Sequence, residues 1–257
     1  MTNKFRIICL TAAAIIFSPA IFAQTAEQKL PAKEKSSLPE KQQTVVPPAK
    51  TQTPAARSEL AEALLFLKKV GSNLLDLKVY QLADTRKSDV EPRIADDLVT
   101  SGTEALRLEK ITQKVLKFHK LTDICSVVLF KNDNPAVFTY KLRSIALSTG
   151  IFNLLSDDEV AALIAHETGH LYFGKELALA RTDDDAKLAR IVELKSDVVS
   201  LITLKNLRID PAVLATALKK LVTAREKSGL QTVSDQSPAL EDRLKLVEIF
   251  IKQNSLI

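Results

Sequence analysis

Apolar residues recur at helical spacing along most of the chain, and this pattern predicts a largely helical fold. One such series consists of Leu60, Leu64, Leu67 and Leu74. A second runs from Leu98 to Leu116, and the C-terminal part of the chain has the same spacing, with Pro211 and Pro238 near predicted helix starts. Because residues spaced three, four or seven apart share one helix face, these segments should pack against a core.

A different pattern between residues 124 and 148 predicts three short β-strands. The segment Ile124–Phe130 is rich in β-branched and apolar residues, and it predicts a central strand that ends in the turn Asn132–Pro135. The segments Val137–Tyr140 and Ile145–Ser148 predict two more strands. A strand beside a cleft can bind an extended peptide through its backbone, although a purely structural strand has the same pattern.

An apolar run from residue 159 to residue 173 contains the sequence His-Glu-Thr-Gly-His at positions 166–170. Ser156, followed three residues later by Glu159, forms a capping-box pattern, so a helix should begin here and end near Gly174. Two of the three histidines in the chain lie within this predicted helix.

The chemistry of this motif indicates a zinc centre. His166 and His170 are four residues apart and therefore lie on one helix face, where both imidazoles can bind a single ion. Glu167 is rotated away from that face, which puts its carboxylate beside the ion, where a general base for water is needed. A chance match on a core helix is the alternative. We predict one zinc ion per chain.

A catalytic zinc site normally has three protein ligands and a water molecule. No third histidine stands six residues beyond the motif, where Glu176 occurs instead. Glu193 and Asp197 are four apart on the next predicted helix, so one carboxylate could bind the ion and the other a ligating histidine. Glu193 is the favoured ligand. Glu176 and the run Asp183–Asp185 are alternatives, although three adjacent like charges favour a solvated loop or a helix start.

Residues 1–23 have the features of a secretory signal peptide. Lys4 and Arg6 precede a short apolar run, and small residues permit cleavage after Ala20 or Ala23. An uncleaved anchor is the alternative, but the run is shorter than the roughly 20 residues of a spanning helix. We therefore expect an exported, periplasmic protein that is soluble or peripheral to the membrane and has no transmembrane segment in the mature chain.

The remaining chain divides by composition. Residues 24–57 are rich in Gln, Lys and Pro and predict a disordered linker, and residues 58–257 predict one domain. The net charge of +5, which falls by two when the leader is removed, is too small to indicate nucleic-acid binding. Cys125, the remaining cysteine after removal of the leader, should be a buried strand thiol. His119 lies among lysines, and we interpret it as a solvated surface residue.

Several segments together resemble the zinc endopeptidase family of the CAAX prenyl proteases and HtpX. The segments that carry this resemblance are Asn134–Phe138, Leu147–Phe152, Glu159–His170 and Glu193–Asp197. The chain is most similar to the soluble, exported BepA-like members of that family, because no membrane-spanning run follows the leader.

The resemblance implies a mostly helical α+β fold, a zincin-like metallopeptidase domain with a small sheet beside the His-Glu helix. It implies that the edge strand of this sheet receives the substrate. It also implies His166, His170 and Glu193 as zinc ligands, Glu167 as the catalytic base, and Asp197 as a residue that supports the ligands.

The chain departs from the family pattern at two places. Lys141–Arg143 occupies the position of a Pro-Gly-Gly turn, and Ser237 stands where the family often has a histidine before proline. Arg243 matches a family arginine. Because its guanidinium is always protonated, it is a candidate for supporting the oxyanion or the loop that carries it.

The expected function is that of an exported zinc metalloendopeptidase that hydrolyses peptide bonds of protein or peptide substrates, in envelope protein quality control or processing. Association with other envelope proteins is compatible with this activity. The alternative is a non-catalytic zinc-binding chaperone or adaptor module of the same fold. The presence of Glu167 favours catalysis, because a structural zinc site needs no base.

Overall fold

The computed structural model describes residues 54–71, 74, 77–78, 91–229 and 235–255. The predicted signal peptide lies outside the described residues, and so does the predicted linker as far as residue 53. The first described helix begins at Pro54, slightly before the predicted start of the domain at residue 58.

Helices form most of the described chain, as predicted. In chain order they are α1 (Pro54–Val70), α2 (Thr103–His119), α3 (Thr149–Leu154), α4 (Asp157–Tyr172), α5 (Gly174–Thr182), α6 (Ala186–Asn206), α7 (Ala212–Lys227) and α8 (Leu240–Asn254). A 3₁₀ helix spans Pro92–Asp97, and Leu98 then forms an isolated bridge with Phe130 instead of starting α2. None of the described helices combines the length and the hydropathy that a transmembrane segment needs.

Three short strands form the sheet, and the prediction of three strands is confirmed. They are β1 (Ser126–Phe130), β2 (Val137–Tyr140) and β3 (Ser144–Ser148), in the spatial order β1-β3-β2. β1 pairs parallel to β3, and β2 pairs antiparallel to β3. The fold is therefore a mostly helical α+β domain with a small mixed sheet.

The predicted central strand was wrong, because β3 and not β1 lies in the middle of the sheet. All five residues of β3 are buried, although two of them are serines. Their hydroxyl groups are satisfied inside the protein: Ser144 Oγ is 2.8 Å from Ser126 Oγ, and Ser148 Oγ donates to the Asn134 carbonyl at 2.8 Å. Hydrogen bonds thus allow a strand with two polar residues to occupy the central position.

α4 begins at the predicted capping box. Ser156 Oγ accepts from the Glu159 N–H at 3.3 Å, and Glu159 Oε2 accepts from the Ser156 N–H at 2.8 Å. Every residue from Glu159 to Leu171 is buried. On one side α4 packs in an apolar cluster with the sheet and α2, and on the other it contacts a second cluster formed by α1, α6, α7 and α8. The motif therefore lies on a central helix held on several faces.

α6 runs antiparallel to α4 and packs closely against it. Ser200 Oγ donates to the Ala162 carbonyl at 2.8 Å, and further along Gly169 faces Ser196. A Cβ atom at position 169 would lie 2.6 Å from Ser196 Cα, closer than real Cβ contacts allow. Glycine at this position therefore permits the backbone approach that brings the polar groups of the two helices together.

His119 is buried, and its interpretation as a solvated residue was wrong. It is the last residue of α2, and its ring lies between α4 and α6. Nδ1 is 2.8 Å from Tyr172 Oη, and Nε2 is 2.9 Å from Thr203 Oγ1. Because the Thr203 hydroxyl donates to the Val199 carbonyl at 2.7 Å, it accepts from His119 Nε2–H, and Nδ1 accepts from Tyr172. The neutral imidazole is therefore fully hydrogen-bonded.

Burial lowers the pKa of His119 from 6.5 to about 3, which predicts a pH dependence of stability. Between these two values the unfolded chain binds a proton that the folded chain does not. The free energy of unfolding should therefore fall with decreasing pH by up to about 1.4 kcal/mol per pH unit from this residue alone. Denaturant unfolding of the wild type and His119→Gln between about pH 4 and pH 6 should give a shallower pH slope for the variant. Equal slopes would contradict the neutral, buried state.

Cys125 is buried, as predicted, but its predicted place in the strand was wrong, because β1 begins one residue later at Ser126. Burial raises the pKa of its thiol to about 12, so it stays protonated at neutral pH and packs as a small apolar side chain.

Candidate active site

Three side chains of the α4 motif converge on one point. One ligand atom each from His166, Glu167 and His170 lies within 4.8 Å of the others, and all three residues are buried. The two imidazole rings are nearly perpendicular, with 5.0 Å between their centroids. Nitrogen and oxygen donors at this spacing could hold a metal ion.

Glu193 of α6 closes this cluster from the opposite side. Its Oε2 is 3.3 Å from His166 Nε2, and its Oε1 is 3.4 Å from His170 Nε2. An ion with tetrahedral bonds of about 2.0–2.1 Å separates its ligand atoms by about 3.3 Å. The donor types of His166, His170 and Glu193, and these two nitrogen–oxygen distances, are therefore compatible with a zinc ion.

The alternative ligands from the sequence lie elsewhere. Glu176 is in the first turn of α5 and is only partly buried. Asp183 and Asp184 are exposed, and Asp185 caps α6 by accepting from the Leu188 N–H at 2.9 Å. The aspartate run thus forms a helix start, as predicted.

Asp197 and Arg243 form a second layer behind His166. Asp197 Oδ1 accepts from His166 Nδ1–H at 2.8 Å, which turns the other ring nitrogen, Nε2, toward Glu193. The guanidinium of Arg243 binds the same carboxylate twice, with Nε donating to Oδ2 at 2.7 Å and Nη2 donating to Oδ1 at 2.6 Å. The structure therefore pairs Arg243 with Asp197, a contact that the sequence did not reveal.

The charged groups of the cluster shift one another's pKa values. Burial raises the pKa of Glu193, but His170, His166 and Arg243 outweigh it and hold this pKa at about 2. Burial likewise raises the pKa of Asp197, but Arg243 and His166 lower it to about 2. For His166, burial lowers the pKa, but Asp197 and Glu193 raise it to about 10, whereas burial dominates and lowers the pKa of His170. Two ionised carboxylates thus face the imidazoles.

Two further residues, which sequence reasoning missed, contact the site. Ser196 Oγ lies 3.3 Å from His170 Nδ1, and Ser196 is completely buried. Its position three residues after Glu193, on the same helix face, is a signal that could have identified it. Thr139 of β2 donates its hydroxyl proton to Glu167 Oε2 at 2.7 Å. This contact joins segments far apart in sequence, and no local pattern indicates it.

Residues 103–180 match the family model of Peptidase family M48. This match supports an M48 metallopeptidase. The matched span runs from the start of α2 into α5 and includes the sheet and the motif at positions 166–170, and the mostly helical domain with its small sheet is consistent with the zincin-like fold of that family. Glu193, Asp197 and Arg243 lie beyond the matched span. No curated protein matches the chain significantly.

Proposed function

We propose that this chain is a zinc metalloendopeptidase that cleaves peptide bonds within protein substrates. The observation that carries the proposal is the position of the Glu193 carboxylate, whose two oxygens each face the Nε2 atom of one motif histidine at 3.3–3.4 Å. His166, His170 and Glu193 would hold one zinc ion, with Glu167 beside them. The match to Peptidase family M48 supports the metallopeptidase activity.

The proposed chemistry assigns a separate task to each group. When bound, zinc supplies a Lewis acid that polarises the scissile carbonyl and makes water more acidic. Glu167 accepts the proton of the attacking water and passes it to the leaving amine. Asp197 keeps His166 in the tautomer that presents Nε2, and Arg243 keeps Asp197 ionised and oriented. In this assignment Arg243 acts through Asp197 and does not contact the oxyanion.

The edge strand β2 supports binding of an extended peptide. Ser148 N–H of β3 donates to the Ala136 carbonyl, and hydrogen-bonded pairs alternate along an antiparallel ladder. Val137 and Thr139 therefore occupy non-hydrogen-bonded positions of the ladder. Their backbone N–H and C=O groups point away from β3. They face the edge at which no described strand pairs. A substrate strand added there would be held by its backbone with little sequence preference.

The features of residues 1–23 and the BepA-like resemblance support an exported enzyme of the periplasm. In that compartment the substrates would be envelope proteins or peptides derived from them, and the role would be quality control or processing. Association with other envelope proteins is part of this proposal. The low net charge offers no support for nucleic-acid binding.

Removal of the metal tests the proposal. Chelation should reduce cleavage of a labelled, unfolded protein by at least about tenfold, and about one equivalent of zinc per chain should restore it, because the site has a single set of three ligands. The same amount of magnesium should not restore it, since magnesium prefers oxygen ligands. Cleavage that persists in chelator would contradict the proposal. Zinc binding without cleavage would favour the chaperone or adaptor alternative.

A further inference from the structure

We propose that Thr139 is a positioning residue that orients the carboxylate of Glu167 for proton transfer. The proposal rests on the proposed function, in which Glu167 is the general base. Thr139 lies on β2, is 6% exposed, and contacts α4 through its side chain. It therefore connects the edge strand of the sheet directly to the base.

The hydrogen-bond geometry determines which atom of Glu167 is held. Thr139 Oγ1 is 2.7 Å from Glu167 Oε2 and 3.2 Å from the Glu167 backbone carbonyl. A threonine hydroxyl has one proton to donate. The carboxylate oxygen Oε2 is the stronger acceptor, because its contact is shorter and charge-assisted. The carboxylate is thus fixed through Oε2, and Oε1 is left to accept a proton from water.

The same residue also lies at the edge where the substrate would pair. Its backbone N–H and C=O point away from β3, while its side chain binds Glu167. A peptide that pairs with β2 would be placed by the Thr139 backbone, and the base would be placed by the Thr139 hydroxyl. One residue would then set the distance between the substrate backbone and the general base, a form of orientation to which reaction rates are sensitive.

A neighbouring threonine provides the matched control. Thr168, next to Glu167 on α4, is buried like Thr139, but its hydroxyl donates to the Ile164 carbonyl at 2.8 Å within the same helix. Thr139→Val and Thr168→Val each remove one buried hydroxyl group without changing the branched shape of the side chain. Only the first removes a hydrogen bond to the base.

The kinetic test uses the full chain loaded with zinc. Thr139→Val should lower kcat by about tenfold to a hundredfold, the range expected for a hydrogen bond to a charged group, with little change in KM and unchanged zinc content. Thr139→Ser should restore most of kcat, because it restores the hydroxyl. Thr168→Val should retain the wild-type kcat. Equal kcat values for the two valine variants would overturn the proposal.

A spectroscopic test separates this proposal from the proposed function. The infrared difference between a protein and its Glu167→Gln counterpart isolates the carboxylate stretch of Glu167. In metal-free protein, Thr139→Val should shift this band, whereas Thr139→Ser and Thr168→Val should leave it in place. If the wild type fails to cleave any substrate, the proposed function fails while the band still reports the hydrogen bond. An unshifted band in Thr139→Val would overturn the proposal.

Discussion

The Glu167→Gln variant should keep about one zinc ion per chain and lose at least about a hundredfold in cleavage rate. Glutamine has the same shape as glutamate, and its amide oxygen can still accept from Thr139, so the packing of α4 should be unchanged. It has no carboxylate, however, and cannot take the proton of the attacking water. Metal content, measured by mass spectrometry, should therefore stay at the wild-type value. The kcat for cleavage of an unfolded protein substrate should fall.

Glu176→Gln is the matched control, because it makes the same chemical change on α5, outside the cluster of ligand atoms. It should leave both zinc content and kcat at wild-type values. The ligand atoms of Glu167 and the two motif histidines lie within 4.8 Å of one another, so a direct role of Glu167 in metal binding is a defined alternative. Loss of zinc from Glu167→Gln would favour that alternative, and wild-type cleavage would exclude Glu167 as the base.

The parts of the fold that the sequence predicts are those with local causes. The capping box of Ser156 and Glu159 and the spacing within positions 166–170 involve residues no more than four apart, so they can be read without the tertiary structure. The same holds for Glu193 and Asp197, whose spacing places them on one face of α6. The structure brings that face to the histidines through antiparallel packing of α4 and α6.

The errors have a common cause, which is burial of polar groups by distant partners. The β-branched, apolar segment Ile124–Phe130 predicted that β1 is the central strand, but hydrogen bonds of the buried Ser144 and Ser148 allow β3 to take that position. His119 has lysines nearby in sequence, but its partners Tyr172 and Thr203 come from α4 and α6. Composition alone cannot show which polar side chains will find such partners.

Contacts within the site that span long sequence separations were also unpredictable. Arg243 lies 46 residues after Asp197, and Thr139 lies 28 residues before Glu167. Neither pair follows from helical or strand periodicity, because each joins two different elements. The resemblance suggested Arg243 as a candidate for supporting the oxyanion, whereas its contact with Asp197 came only from the packing of α8 against α6.

The Glu193→Ala variant should show the largest loss of zinc affinity among substitutions outside the motif. Changes to residues that support metal ligands typically cost about tenfold to a hundredfold in affinity, and loss of a ligand itself should exceed that range. Asp197→Asn should fall within that range, because His166 keeps its Nε2 while the charged partner of Nδ1 is lost. Glu176→Ala should bind zinc as the wild type does. Competition with a chromophoric chelator at fixed pH measures all four affinities.

The expected order of affinities is wild type and Glu176→Ala, then Asp197→Asn, then Glu193→Ala, and circular dichroism should establish that each variant is folded. The order follows from the distance of each carboxylate from the Nε2 atoms of the two motif histidines. Glu193 oxygens lie 3.3 and 3.4 Å from them, and Asp197 reaches only the far nitrogen of one ring. Wild-type affinity in folded Glu193→Ala, together with zinc loss in Glu176→Ala, would reassign the third ligand to α5 and require α5 to move toward the histidines when the ion binds.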